Sequence, residues 1–259
     1  MPDAVVVIPA RWASSRFPGK VLAPLGGRPL LVHVCERAAR ARKAGSVLVA
    51  TDDTRILETA EAAGFPAVMT AAGHASGTDR VAEAVASRSE EIVIGLQADE
   101  PFVDPRDLDA LVACLERHER ASLATLAADI EEPADYADPN VVKVVTTAGG
   151  RALYFSRSPI PYHRPGDGGE LPRLPPPPPP GAARAHVGVY AWRRESLLSF
   201  TAMPPSPLER LEGLEQLRAL EAGWEIRVLA ARAAPLGVDT PEDLRRAEAR
   251  LATTDGRNA

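Results

Sequence analysis

Cysteine is nearly absent from this chain. Cys35 and Cys114 are the two among 259 residues, and neither has a CxxC partner or a nearby histidine. A zinc ribbon and a disulfide-stapled scaffold are therefore excluded, and each thiol, set in an amphipathic helical pattern, reads as a small buried hydrophobe. Long apolar runs are missing too. The first, residues 4–8, lacks a basic leader and is too short for a signal-peptide core or a membrane span, so no membrane insertion and a cytoplasmic location are expected. There is no excess of basic charge: the net charge is −5 with both signs interspersed, which excludes bulk nucleic acid as a partner. Two glycine signatures are absent as well. No GxGxxG follows the first apolar run, and the GxxxxGK spacing fails because Ser14 stands where its first glycine should be. A dinucleotide-dependent oxidoreductase and a Walker-type NTPase are thereby disfavoured.

What is present is ordinary for a globular enzyme, with 45% apolar and 25% charged residues in a length that suits one domain, residues 1–259. In the first half, valine- and isoleucine-rich runs at 4–8, 47–51, 67–69 and 92–96 alternate with helical periodicity at 29–41, 53–63 and 78–87. Such alternation predicts an α/β fold, a Rossmann-like doubly wound layout with a mostly parallel sheet covered on both faces. Ligands bind such sheets at the carboxyl ends of the strands, which directs attention to residues 9–20, 70–78 and 97–101.

The second half has strand-like runs at 141–146, 152–155 and 186–192, read as a smaller sheet insertion, around a proline- and glycine-dominated stretch. The prolines at 175–180 permit extended polyproline II or disorder, so 163–183 is taken as an exposed flexible loop. Beyond it, leucines at 208, 211, 214 and 217 predict one core-facing helix over 207–222, ended by Gly223. A strand is expected at 224–230, and Thr240-Pro241 opens the last helix with Asp239 just before it.

Arg11, Arg16 and Lys20 fall within ten residues directly after the first strand, with Pro18-Gly19 to turn the chain. Cations beside close-approaching backbone N–H groups are what a triphosphate requires. Asp99, in the loop after the fourth strand, and Asp239, from a remote part of the chain, offer the carboxylates that a hard cation such as Mg²⁺ prefers in company with water and phosphate. Glu100, at the loop edge before Pro101, reads as structural.

The chain resembles the 3-deoxy-manno-octulosonate (Kdo) cytidylyltransferases over nearly its whole length. The resemblance rests on IPARWASSRFPGK (8–20), VATDD (49–53), HASGTDR (74–80), QADEP (97–101), NVVKVV (140–145), ALYFSRSPIP (152–161), HVGVYAW (186–192), PSPLERLEGLEQLR (205–218) and GVDTPEDL (237–244). It implies that CTP and Kdo give CMP-Kdo and pyrophosphate, for lipopolysaccharide assembly. On that pattern Arg11, Arg16 and Lys20 hold the triphosphate, and Asp99 and Asp239 bind Mg²⁺. Ala10, Ser76, Gly77, Thr78 and Arg80 lie by the nucleotide. Gln97, Arg157, His186, Tyr190, Glu215 and Gln216 face the sugar, for which Arg157 is a suitable carboxylate partner. Residues 140–200 then form a sugar-binding and dimerisation subregion of a homodimer.

Each sugar assignment has a structural rival: a hydrogen-bonded core histidine at 186, sheet packing at Tyr190, a solvated helix residue at Glu215. One position departs from the pattern, because Ala98 stands where the family usually has glycine. If that position needs a positive φ the alanine is strained; if it needs only closeness, a methyl fits. The remaining alternatives are an 8-amino-Kdo or other acidic-sugar cytidylyltransferase and a non-catalytic nucleotide-sugar-binding protein.

Overall fold

The computed structural model describes residues 4–13, 17–162, 184–232 and 236–255. The proline-rich segment 163–183 and Arg16 lie outside the described residues. The central strand is β1 (Ala4–Ala10), all seven of whose residues are buried. Alternate residues serve opposite faces, as a pleated strand requires. Ala4, Val6, Ile8 and Ala10 pack with residues of α1 (Leu30–Ala38), α2 (Thr54–Ala62) and α4 (Pro105–Arg117). Val5 and Val7 pack with α3 (Gly77–Val85), α6 (Arg194–Ala202) and α8 (Gln216–Glu221). Covering on both faces explains why β1 reads as continuous hydrophobe.

Outward from β1 on one side lie β4 (Ser46–Thr51) and β5 (Ala67–Met69), both parallel to it. On the other side lie β6 (Ile92–Gly95), β10 (Arg184–Arg193), β7 (Ala121–Asp129) and β11 (Glu225–Ala230). β10 alone in this row runs antiparallel to its neighbours. The expected mostly parallel α/β sheet is therefore present, with one reversed strand. The expected second-half extension is present as β8 (Lys143–Thr146), paired with the start of β10, and β9 (Ala152–Ser156), paired with β8. A small ribbon of β2 (Pro24–Leu25) and β3 (Arg28–Pro29) precedes α1. The helices α5 (Pro133–Ala137), α7 (Pro207–Glu212) and α9 (Pro241–Asp255) complete the fold.

The single helix expected over 207–222 is a correction. It is two short helices, α7 and α8, because Gly213 adopts φ 62° and ends the first. Leu214 and Leu217 are buried, but Leu211 is 83% exposed, so the leucine spacing does not mark one continuous buried face. Arg157 ties this break to β9: its Nε donates to the Glu212 carbonyl and its Nη2 to that of Gly213.

In a continuous helix, Gly213→Ala would stabilise by about 1 kcal/mol. At a left-handed position it should instead destabilise by about 1–2 kcal/mol. Urea unfolding of that variant, with Leu211→Gln as a control expected within about 0.5 kcal/mol of the parent, decides between the two signs.

Candidate active site

The three post-strand segments singled out from the sequence converge at the carboxyl ends of β1 and β6. One cleft is lined by Pro9, Ala10, Arg11, Lys20 and Val21 from the first, by residues 74–77 with Arg80 from the second, and by residues 97–99 from the third, with Asp239 joining them.

The first loop is closed by a hydrogen bond from the Gly19 N–H to the Trp12 carbonyl (3.0 Å). Gly19 has φ 71°, and a Cβ there would stand 2.8 Å from the Trp12 ring. The guanidinium of Arg55 caps that ring from above, 3.4 Å from its centroid. Gly19 leads into a single 3₁₀ turn, Lys20–Leu22, which places Lys20 at its first position.

Asp239 reaches the cleft by a different device. The Val238 N–H donates to the Asp99 carbonyl (2.9 Å), which pins the segment before α9 to the loop after β6. Val238 is fully buried in a small core with Leu25, Leu30, Phe102 and Ala247. The Asp243 carboxylate then accepts hydrogen bonds from the backbone N–H groups of Asp239 and Thr240, while the Thr240 hydroxyl oxygen accepts from the Asp243 N–H. Thr240 and Asp243 thus cap α9 between them and leave the Asp239 carboxylate for the cleft.

Lys20 joins the two carboxylates. Its ammonium donates to Asp99 Oδ2 at 2.5 Å and to Asp239 Oδ1 at 2.8 Å. Burial opposes the charge on Lys20, but the pull of Asp99 and the hydrogen bonds to Asp239 and Asp99 outweigh it and hold the ammonium above its ordinary pKa. Glu100 lies beside them. Burial, then the negative charges of Asp99 and Asp239, push its carboxyl up to about 8. Two carboxylates gathered around one positive charge suit a hard divalent cation whose other ligands are phosphate and water. Among the described residues no cluster of three or more His, Cys, Asp or Glu is arranged to hold a metal by itself.

α3 starts at the cleft. Ser76 is its N-cap, paired with Asp79 in a capping box. Gly77 packs closely on the Gln97 side-chain amide, which would lie 3.5 Å from a Cβ at that position. Arg80 is buried, with one guanidinium nitrogen on Asp52 at 2.8 Å and another on the Thr70 hydroxyl. The sequence reading missed Asp52 as this partner, although the VATDD motif at the end of β4 carried it. It also missed His74, which lines the cleft and pairs with Glu83. No described residue, Ala98 included, has a positive φ unless it is glycine. Ala98 is 5% exposed, so its methyl meets a constraint of closeness and not of backbone strain.

Of the residues assigned to the sugar by resemblance, Gln97 lines the cleft and the others lie outside its lining. Glu215 is half-buried against α3, where the Thr78 hydroxyl donates to its carboxylate; desolvation nevertheless pushes its pKa up. Gln216 follows it and is 3% exposed, and its buried Nε2 has no hydrogen-bond partner among the described residues. Tyr190 and His186 belong to a ring ladder running Phe155, His186, Tyr190, Trp192, Phe200. Burial lowers His186 to about 4 and pushes the Tyr190 phenol well above its ordinary value. His186 Nε2 lies 2.9 Å from the Thr125 hydroxyl. The Arg157 guanidinium donates to the carbonyls of Pro139, Glu212 and Gly213 and is not among the residues lining the cleft.

With this geometry in place, comparison with known proteins is informative. The cytidylyltransferase family matches residues 5–226. The 3-deoxy-manno-octulosonate cytidylyltransferase of Solibacter usitatus is 47% identical over 95% of this chain and 94% of its own. That of Anaeromyxobacter dehalogenans is 49% identical over 97% and 99%. The chain belongs to the 3-deoxy-manno-octulosonate cytidylyltransferase family. A solved CMP:2-keto-3-deoxy-manno-octonic acid synthetase complexed with CTP superposes with a TM-score of 0.87 at 42% identity, covering 97% of this chain and 99% of that one. A cytidylyltransferase from Leptospira borgpetersenii, at 17% identity and a TM-score of 0.63 over 97% of this chain and 87% of its own, shares the fold. Among the described residues of this cytidylyltransferase no helix is long and apolar enough to cross a membrane.

The first loop of the enzyme should be intolerant of a side chain at Gly19. Gly19→Ala combines a left-handed φ with a clash against Trp12, so the loop must open. It should lose at least about 1 kcal/mol of stability, and CTP affinity by calorimetry should weaken about tenfold or more.

Proposed function

We infer that this chain transfers the cytidylyl group of CTP to Kdo, giving CMP-Kdo and pyrophosphate and so activating the sugar for lipopolysaccharide biosynthesis. The observation that carries the reading is the convergence of Lys20, Asp99 and Asp239 in one cleft with Arg11 and the start of α3, in a chain of this family.

In the proposed mechanism the anomeric hydroxyl of Kdo attacks the α-phosphorus of CTP. Arg11, Arg16 and Lys20 hold the triphosphate and offset the charge that builds on the departing pyrophosphate. Asp99 and Asp239 would hold Mg²⁺, which when bound stabilises charge at phosphorus and eases deprotonation of the attacking hydroxyl. Ala10 and the segment Ser76, Gly77, Thr78 and Arg80 bound the nucleoside, and the Asp52 carboxylate holds the Arg80 guanidinium in orientation. Gln97, His186, Tyr190, Glu215 and Gln216 present the sugar. For Gln216 the support is its buried amide nitrogen, which no described residue satisfies, since such a donor is costly unless a ligand or water completes it. Arg157 serves by holding the α7–α8 turn that carries Glu215 and Gln216.

The test is pyrophosphate release by purified protein with Mg²⁺ and CTP against Kdo, 8-amino-Kdo and N-acetylneuraminate. Turnover with Kdo is expected, and no release with any of the three acids would overturn the reading. Asp99→Ala should slow the reaction roughly a thousandfold, the scale of several kcal/mol of transition-state stabilisation.

We also propose a homodimer formed through the β8–β9 extension. β9 is paired on one side by β8 and exposes Leu153 (53%). Light scattering should give twice the chain mass for the parent and a monomer for Leu153→Glu. A monomeric parent would exclude the assignment.

A further inference from the structure

A lysine that served only to grip phosphate would be expected to leave its ammonium unengaged in the cleft. Lys20 lines the cleft but rests on carboxylates, with its ammonium between Asp99 Oδ2 at 2.5 Å and Asp239 Oδ1 at 2.8 Å and its side chain 13% exposed. These two carboxylates come from the loop after β6 and the segment before α9, and the Val238 to Asp99 backbone bond holds them close. Two like charges fixed so near each other and partly desolvated repel strongly unless a cation lies between them. In this structure that cation is the ammonium of Lys20. A divalent ion held by the same carboxylates would compete with the ammonium for their oxygens.

We propose that Lys20 is an exchanging counter-ion: it keeps Asp99 and Asp239 converged before substrate arrives, and transfers to the nucleotide phosphates when a divalent cation takes the carboxylate pair. The inference rests on reading Asp99 and Asp239 as the metal pair. Exchange requires little of the backbone, because the Gly19 turn and the 3₁₀ turn after it fix the main chain at Lys20. The four-carbon stem supplies the travel, and the ammonium has no directional preference that ties it to one partner. Lys20 and Arg11 line the same cleft, so the released ammonium joins an existing cationic surface.

A thermodynamic linkage follows. Metal on the carboxylates frees the lysine for phosphate, and phosphate that draws the lysine away frees the carboxylates for metal, so each ligand strengthens the other through one side chain. Metal alone must displace an ammonium in order to bind, and metal-free CTP must pull that ammonium from two carboxylates.

Two measurements test the exchange, both on the folded full chain and without turnover. In the first, Mn²⁺ binding without nucleotide is read from the loss of the free-ion electron paramagnetic resonance signal. Lys20→Met, and Lys20→Gln as a second variant should the first be poorly folded, should bind Mn²⁺ at least about fivefold more tightly than the parent. In the second, CTP binding in EDTA is measured by calorimetry. Asp99→Asn should tighten metal-free CTP binding, because it releases Lys20, and that gain should vanish in the Lys20→Met background. Mn²⁺ affinity that is equal or weaker in both lysine variants, or an Asp99→Asn gain that persists undiminished without Lys20, would overturn the proposal while leaving the metal pair standing. No Mn²⁺ binding by parent or variants, with or without CTP, would overturn the metal pair and the exchange together.

Discussion

The meeting of Lys20, Asp99 and Asp239 sets the terms for the loops around the cleft. An ammonium can neutralise two carboxylates only if all three backbones are held to within a fraction of a side chain's length, and each is held by a different means. Lys20 depends on a left-handed glycine packed beneath Trp12, itself covered by Arg55. Asp99 lies in the loop after β6, a strand buried in the middle of the sheet. Asp239 depends on a backbone bond from Val238 and on an α9 cap built by Thr240 and Asp243. The small core around Val238, Leu25 and Phe102 is thus part of the site's construction although none of its residues lines the cleft.

Charge near that cluster is rationed in a way that suits anionic substrates. CTP and an acidic sugar both bring negative charge, and every extra carboxylate in the cleft would repel them. Glu100, next to the cluster, is pushed up to about 8, toward its neutral form, by burial and by the charges of Asp99 and Asp239. Glu215 is shifted in the same direction by burial. The environment therefore distinguishes two carboxylates compensated by a cation from neighbouring carboxyls pushed toward their neutral form, a sorting that depends on desolvation and proximity alone.

Much of this was legible in the sequence because the first half of the chain obeys local rules. Strands β1, β4, β5 and β6 are short, β-branched and fully patterned, and the segments that follow β1, β5 and β6 line the cleft, as the topology of a parallel sheet leads one to expect. The parts that were not legible depend on long-range context. β7 has the sequence ASLATLAAD, rich in an amino acid with low strand propensity, and is a strand because β10 and β11 enclose it. The leucines of 208–217 fit a helical stripe, yet a single positive φ at Gly213 turns one helix into two. The basic residues of the first loop point to a phosphate site, but spacing along a chain cannot reveal that Lys20 rests on residues 79 and 219 positions away. Nor could it assign Arg80 to Asp52. Ala98 posed a question of backbone conformation that only coordinates answer.

The reversal of β10 has a consequence for which segments meet at one end of the sheet. Because β10 runs against its neighbours, it is its beginning, with His186, that lies toward the end of the sheet where β1 and β6 finish, while Tyr190 sits opposite Gly95 and Arg193 opposite Ile92. Segments that leave parallel strands and a segment that enters an antiparallel one are thus brought to the same end of the sheet. The α7–α8 turn meets the start of α3, because the Glu215 carboxylate accepts from the Thr78 hydroxyl. A change at that turn is therefore transmitted directly to the helix that opens on the cleft, so two remote parts of the chain are coupled through one carboxylate.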